Sequence, residues 1–490
     1  MGDLGQKLRV LKTDGASEAA ARINDIAPPP DISEWYNTTD MGNARRLVAQ
    51  HGQDLHYCGL WGKWLVWDGQ RWIKDDTEEV YRRAKATVLR IYTEASKTLD
   101  EERRKSLSAW AVRSESEARI KSMINLARNE PGIPVLPAEL DADPWLLNVD
   151  NGTLDLRAKE LRKHQREDLI TKLIPVEFDP GAECPNWDGF LNAIMRKNQE
   201  MIDFLQRAVG YALTGDISEQ VLFFLHGSGS NGKSTFLHVI SKLVADYGLQ
   251  TPTETLMAKK SESIPNDVAR LKGSRFVSAV ETEEGRRLAE VLVKQLTGGD
   301  TITARFLHQE FFEFKPTFKL FLAANHKPVI RGTDNAIWRR IRLIPFAVTI
   351  PEDERDRQLA EKLSNELPGI LYWALAGCAD WQANGLGMPD EVRAAIAGYR
   401  EEMDVLAGFL DECCLVAPYA KILVRDVYST YVAWCEANKE RPLNQRRFGM
   451  QLTERGFSRL RGTGNRHYWE GIGLVDAGRN DDGRAGSGEK

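Results

Sequence analysis

The chain has 490 residues, 42% of them hydrophobic and 28% charged, with a formal net charge of −5. That length is too great for one core and implies about three to four folding units, and the composition is that of an ordinary soluble protein. No apolar run approaches the ~20 residues of a membrane span, and the polar, alanine-rich Met1–Ile26 lacks a secretory core, so a cytoplasmic protein without a membrane partner is expected. The six cysteines (Cys58, Cys184, Cys378, Cys413, Cys414 and Cys435) form no C-x-x-C or Cys/His ligand spacing, which argues against structural zinc. Cys413 and Cys414 read as packed thiols.

Residues 1–30, closed by Pro28-Pro29-Pro30, and the tail 476–490 have the composition of disordered ends. An α+β N-terminal region is expected over 31–145. Its tryptophans, Trp35, Trp61, Trp64, Trp67 and Trp72, read as a small core, with a hairpin over Lys63–Trp72 turning at Asp68-Gly69. Glu78–Asn129 then has the period of amphipathic helix, broken near Asp100. Over 146–215 the chain begins β-rich, with a turn at Asn151-Gly152, and becomes helical from Trp187 to Leu213 with Gly215 as C-cap. No internal repeat or coiled-coil heptad is visible.

The segment 216–350 carries the densest chemistry. Apolar Val221–Leu225 leads into Gly227-Ser228-Gly229-Ser230-Asn231-Gly232-Lys233-Ser234-Thr235, followed by helical spacing from Phe236 to Ala245. This is the strand, G-x-x-x-x-G-K-[ST] loop and helix of a triphosphate site, predicted to hold ATP and Mg²⁺. Glycines let backbone N–H groups curl round phosphate oxygens, Lys233 sets a point charge near the β and γ phosphates, and Ser234 offers a hydroxyl to the metal.

Hydrolysis also needs an acid at the end of a neighbouring strand. Phe276–Val280 reads as that strand, and Glu281 and Glu283 follow it. Glu281 is the candidate metal-side acid and Glu283 the candidate for orienting the attacking water, with their assignment open by a residue or two. A third strand, Lys319–Ala324, ends in Asn325, whose amide can both donate and accept as a phosphate or water sensor. Arg339 and Arg340 precede a further apolar strand and could stabilise transition-state charge at a neighbouring subunit's nucleotide.

Asp353–Ala383 reads as helix interrupted at Pro368, inside a helical lid spanning 351–403. The unit at 404–475 is basic: Lys421–His467 holds ten Lys/Arg against four Asp/Glu, a net +6. There, Val424–Asn438 and Gln445–Arg455 read as two helices, the second with Asn444 as N-cap and Gly456 just past its end, and two strands flank Gly462–Asn465. That is a helix-turn-helix followed by a wing. Arg446, Arg447, Arg459, Arg461 and Arg466 are its candidate phosphate contacts on DNA.

Taken together, the phosphate loop with Asn before its second glycine, the acids after the second strand, Lys294–Asp300, Asn325-His326-Lys327-Pro328 and Arg339-Arg340 resemble superfamily 3 helicases. More narrowly they resemble the phage and plasmid primase-helicase family related to the poxvirus primase-helicase. The resemblance runs from Thr39 to Leu474 and implies a P-loop, AAA+-like α/β ATPase core, a helicase-associated helical collar over 146–215 and a C-terminal winged helix. It further implies a homo-oligomeric ring, a hexamer, hydrolysing ATP at subunit interfaces while it translocates on single-stranded and forked DNA with host or phage replication proteins as partners.

Residue by residue, Lys233 and Ser234 match the loop, Glu281 the acid, Asn325 the sensor, Arg340 the finger and Arg339 its alternative. A β-hairpin over Thr301–Phe306 and Phe311–Lys315 would bring Arg305, His308 and Gln309 to DNA, with a tip less basic than many. Asp141-Ala142-Asp143 is the only pair suggestive of polymerase metal ligands, and its position before Pro144 favours a structural role. A helicase without primase activity of its own is therefore expected. A bifunctional helicase-primase and an origin-binding ATPase switch without unwinding remain the alternative readings.

Overall fold

Residues 222–225 are Leu-Phe-Phe-Leu. An uninterrupted apolar run suits a strand covered on both faces, and it becomes the second strand of a five-stranded parallel sheet. The computed structural model describes residues 36–258, 266–280, 285–306, 310–331, 335–438, 440, 442–462 and 466–475. Within them the architecture is mixed α/β.

The N-terminal region contains an antiparallel sheet of β1 (Leu55–Cys58), β2 (Lys63–Trp67) and β3 (Trp72–Lys74). Its hairpin closes with Trp67 opposite Trp72, and Asp68 Oδ1 accepts from the N–H groups of Gln70 and Arg71 at 2.8 Å each. Trp64 and Trp72 are buried, whereas Trp61 is exposed. Three helices follow, Glu79–Lys97, Glu101–Ser114 and Glu117–Ala127. The break at Asp100 is an N-cap, its side chain accepting from Arg103 N–H. A second break, at Glu115-Ser116, divides the next two helices within the polar run 113–117.

A second antiparallel sheet holds β4 (Leu146–Val149), β5 (Gly152–Asp155) and β6 (Glu160–Arg162). Val149 pairs with Gly152, so the turn is Asp150-Asn151, one residue earlier than the expected Asn151-Gly152. Gly152 serves close approach instead: a Cβ there would lie 2.4 Å from Arg162 O. The helical stretch divides into Pro185–Ile194 and Gln199–Ala212. Its C-cap is Leu213 in the right-handed region, not Gly215, which sits against Pro144 and donates its N–H to Pro144 O at 2.7 Å.

The central sheet comprises β7 (Leu222–His226), β8 (Gly248–Gln250), β9 (Phe276–Val280), β12 (Lys319–Ala324) and β13 (Ile341–Pro345), in the order β13-β7-β12-β9-β8. Side chains alternate across it with period 2. Phe223, Leu225, Phe276, Phe321 and Ile344 pack with the helices Pro185–Ile194, Gln199–Ala212, Lys233–Val244 and Leu367–Asn384, while Leu222, Phe224, Val277, Leu320 and Leu343 pack with Leu296, Trp338 and Tyr399. Outside this sheet, β10 (Ile302–Ala304) and β11 (Phe312–Phe314) pair antiparallel as a separate ribbon.

At the N-terminal ends of β9 and β12 two cations are sealed inside. Arg275 donates to the carbonyls of Leu213 at 2.7 Å, Leu146 at 2.8 Å and Asp143 at 3.2 Å. Lys319 donates to Thr214 O and to Asp216 O at 3.0 Å, with its ammonium 4.6 Å from the Tyr211 ring centre. Burial, and then the nearby Arg275, hold Lys319 well below the ordinary lysine value. These two side chains bind the carbonyl end of helix Gln199–Ala212 to the base of the sheet, where the helix dipole favours positive charge.

Toward the C-terminus, helix Val405–Cys413 leads to β14 (Cys414–Leu423), helices Val424–Ala437 and Gln445–Glu454, then β15 (Ser458–Arg461) and β16 (His467–Leu474), with sheet order β14-β16-β15. Asn444 accepts from Arg447 N–H at 3.0 Å, and Gly456 adopts φ +92° just past the helix. Strand β14 has no sequence signal, because an irregularity between Val416 and Lys421 breaks its period of two. Among the described residues no helix is long and apolar enough to cross a membrane.

Candidate nucleotide-binding site

The loop after β7 is shaped by what cannot fit. A Cβ on Gly227 would lie 2.3 Å from both Asn231 Nδ2 and Phe346 O, while Gly229 (φ +103°), Ser230 (φ 49°) and Gly232 (φ +86°) carry the left-handed backbone of the turn. The following helix, Lys233–Val244, has Gly232 as N-cap with no side-chain cap. Its first-turn N–H groups therefore have no side-chain acceptor, the condition under which a helix start holds a phosphate. Ser228 and Ser234 are exposed beside it and Thr235 is half-buried.

Lys233 is 5% exposed, yet its ammonium is fully engaged. It donates to Gly227 O at 2.7 Å, Asn231 Oδ1 at 2.9 Å and Asn325 Oδ1 at 3.1 Å. Burial pushes its pKa down from the ordinary value. Asn231 in turn donates to Phe346 O at 3.1 Å, tying the loop to the segment after β13.

Register explains the convergence. Ala324 pairs with His226, so Asn325 emerges beside Gly227, and Ala323 pairs with Val280, so the chain after β9 leaves the sheet at the same end. Glu281 and Glu283 lie on that continuation, outside the described residues. Glycine-lined backbone, an uncapped helix start and Lys233 fit the triphosphate of ATP, and Ser234 fits one side of a Mg²⁺ site. Among the described residues no group of three acidic, His or Cys side chains forms a metal cluster.

Arg339 and Arg340 stand at the opposite end of the sheet. Ile341 pairs with Leu222 and Pro345 with His226, a separation of about 13 Å along the strand. Arg340 is 7% exposed and donates to Thr297 Oγ1 at 3.1 Å and Ala336 O at 2.6 Å. Arg339 is exposed and donates to Gln220 Oε1 at 3.2 Å. Arg340 is thus held within its own chain, whereas Arg339 is exposed at the surface.

Two neighbours of the loop carry no sequence signal. Arg355 donates to Ser230 Oγ at 2.9 Å and Ile350 O at 3.2 Å, while Ile350 N–H donates to Ser230 O at 2.8 Å. An arginine ten residues beyond a strand belongs to no pattern. His226, half-buried at the end of β7, is held below the ordinary histidine value by burial first and then by Lys327 and Lys233.

The aspartates 141 and 143 are spent locally, Asp141 Oδ1 accepting from Thr171 N–H and Asp143 Oδ1 from Trp145 N–H, each at 2.8 Å. For DNA, Arg305 is exposed at the end of β10, and His308 and Gln309 lie outside the described residues. Arg446 and Arg447 are exposed on the first turn of helix Gln445–Glu454, as are Arg459 and Arg461 on β15 and Arg466 before β16.

Three family models match the chain: "D5 N terminal like" over residues 44–196, "Family of unknown function (DUF5906)" over 225–340 and "Poxvirus D5 protein-like" over 401–457. A protein of Acanthamoeba polyphaga mimivirus named "Putative helicase" is 28% identical over 420 residues, 77% of this chain and 43% of that protein. One of Frog virus 3, similarly named, is 28% identical over 383 residues, 61% and 39% of the two chains. A "Putative primase" of African swine fever virus is 25% identical over 333 residues, 61% and 34%. The chain therefore spans less than half the length of these relatives. Among solved structures, the apo C-terminal region of NrS-1 aligns with 89% of this chain and 99% of its own, at TM-score 0.49 and 12% identity.

Proposed function

Because this chain carries D5-like regions on both sides of its parallel sheet, in keeping with the primase-helicase family its motifs resemble, we propose that it is an ATP-dependent replicative DNA helicase. In this reading the sheet unit is a P-loop, AAA+-like ATPase of superfamily 3, and the C-terminal unit is a winged helix on DNA. Relatives with helicase and primase names support a function of that general kind.

One observation carries the proposal: Lys233 Nζ lies within hydrogen-bond reach of both the loop's own oxygens and Asn325 Oδ1 from the neighbouring strand. Loop N–H groups would hold the phosphates, Lys233 would neutralise charge that grows in the transition state, and Asn325 would orient the γ-phosphate or the attacking water. Ser234 and Glu281 would hold Mg²⁺, which when bound would supply positive charge against the phosphates, and Glu283 would orient the attacking water. An arginine at the far end of the sheet is too distant to serve its own chain's loop. Arg339 would therefore act on the nucleotide of a neighbouring copy, which makes hydrolysis depend on a ring.

The test is strand displacement on a forked duplex, with ATP and with a non-hydrolysable analogue. ATP alone should separate the strands, and Lys233→Ala should abolish both displacement and ATP turnover. Turnover retained by Lys233→Ala sinks the site. Displacement with the analogue sinks the motor.

A further inference from the structure

The ribbon of β10 and β11 is a two-stranded pair apart from the main sheet, and such pairs are marginal on their own. One face of it is buried through Ile302, Ala304 and Phe314. Its open end is built the other way. Phe306 is 36% exposed and Phe311 is 52% exposed, two large rings left to solvent where the ribbon ends.

Among the described residues each ring has one aromatic or cationic neighbour, and both rings keep exposed surface. Phe306 stacks on Phe312 with centroids 5.6 Å apart and planes 27° from parallel, and the Arg305 guanidinium lies 4.9 Å from the centre of Phe311. Lys272, from outside the ribbon, sets its ammonium 5.1 Å from the Phe312 ring. Cations and rings thus interleave. Lys315 adds charge, but Glu310 and Glu313 are exposed on the same strand and its approach, so this end is close to neutral. A surface that held nucleic acid by phosphate charge alone would need a clear cationic excess.

We propose that Phe306 and Phe311 are stacking platforms for unpaired nucleobases, with Arg305 and Lys272 meeting the phosphates on either side. The inference rests on the strand-binding reading above and specifies how the strand is held. Stacking suits a motor that must pass every sequence, because each base offers a π-face. The cations lying over the rings favour this occupant over an apolar protein surface, which would leave those charges desolvated.

The experiment is fluorescence anisotropy on the full chain, using a labelled oligothymidine and an abasic strand of equal length and phosphate count. Wild type should bind the oligothymidine about 10- to 100-fold more tightly, and Phe306→Ala/Phe311→Ala should erase that preference with little change on the abasic strand. Phe306→Trp/Phe311→Trp should retain it, which separates stacking from misfolding. Equal wild-type affinity for both strands overturns the inference while leaving strand binding intact. Binding to neither strand overturns it together with the helicase reading. If the alanine pair instead breaks the oligomer in size-exclusion chromatography, the rings are a contact between copies and the inference falls.

Discussion

Two lysines mark opposite ends of one parallel sheet and show how position turns the same ammonium to different uses. Lys233 and Lys319 are both nearly sealed from solvent, and both donate to several oxygens. Around Lys233 two acceptors are side-chain amides, Asn231 on a glycine-rich loop with exposed serines and Asn325 just past β12; such acceptors can turn aside for another partner. Around Lys319 the acceptors are backbone carbonyls at a helix end and the lid is the Tyr211 ring, none of which can be exchanged. One end of the sheet keeps acceptors that can be exchanged, as the proposed nucleotide site requires, and the other is a rivet.

The largest effect should come from the ligand end. Lys233→Ala is expected to drop ATP turnover to background while the unfolding free energy stays within about 1 kcal/mol of wild type, since two of the oxygens it leaves belong to side-chain amides that can turn to other donors. A stability loss as large as that of Lys319 variants would erase the distinction between the two lysines.

Next comes the rivet. Lys319→Met should cost about 1–3 kcal/mol for each carbonyl it orphans, with ATP affinity of the folded protein unchanged. Because Lys319 sits well below its ordinary 10.5 when folded, the unfolded chain binds the extra proton at alkaline pH. Wild-type stability should accordingly rise as pH climbs toward 10.5, a slope that Lys319→Met lacks in urea titrations.

The paired arginines repeat the contrast within two residues. Arg340→Ala should lower thermal stability, by about 1–3 kcal/mol for the Thr297 hydroxyl and Ala336 carbonyl left behind. Arg339→Ala should leave stability alone and reduce ATPase only in assembled protein. Its activity should reappear in mixtures with Glu281→Gln copies, and absence of any recovery would remove the role in a neighbouring site.

The smallest effect belongs to His226. Its folded pKa lies below 6.5, so the unfolded chain protonates first as pH falls. The stability it contributes is complete above about 6.5 and is lost as pH falls toward the lowered value. His226→Asn should flatten that acid limb of the stability profile.

Much of this was legible in one dimension because short-range chemistry forces it. The strands Phe276–Val280 and Lys319–Ala324 match the apolar runs residue for residue, and Asn444 and Gly456 bracket their helix as capping rules require. Misreadings cluster where glycine answers to a distant neighbour: Gly152 is small for Arg162 and Gly215 for Pro144, so neither turns the chain as a local rule expects. The burial of Arg340 was not legible for a related reason, since nothing near it in sequence announces Thr297.

Local sequence was enough to place a glycine-rich loop with Lys233 after a buried strand, a polar amide at the end of another and a basic unit beyond them, because glycine torsions, period-2 burial and helix caps are set by residues within a few positions. Only the tertiary structure decided that Asn325 meets Lys233, that Arg275 and Lys319 seal the far end, and that Arg339 rather than Arg340 faces outward. Those outcomes depend on strand order β13-β7-β12-β9-β8. Parallel pairing joins segments about a hundred residues apart, and its register alone determines which strand ends come together.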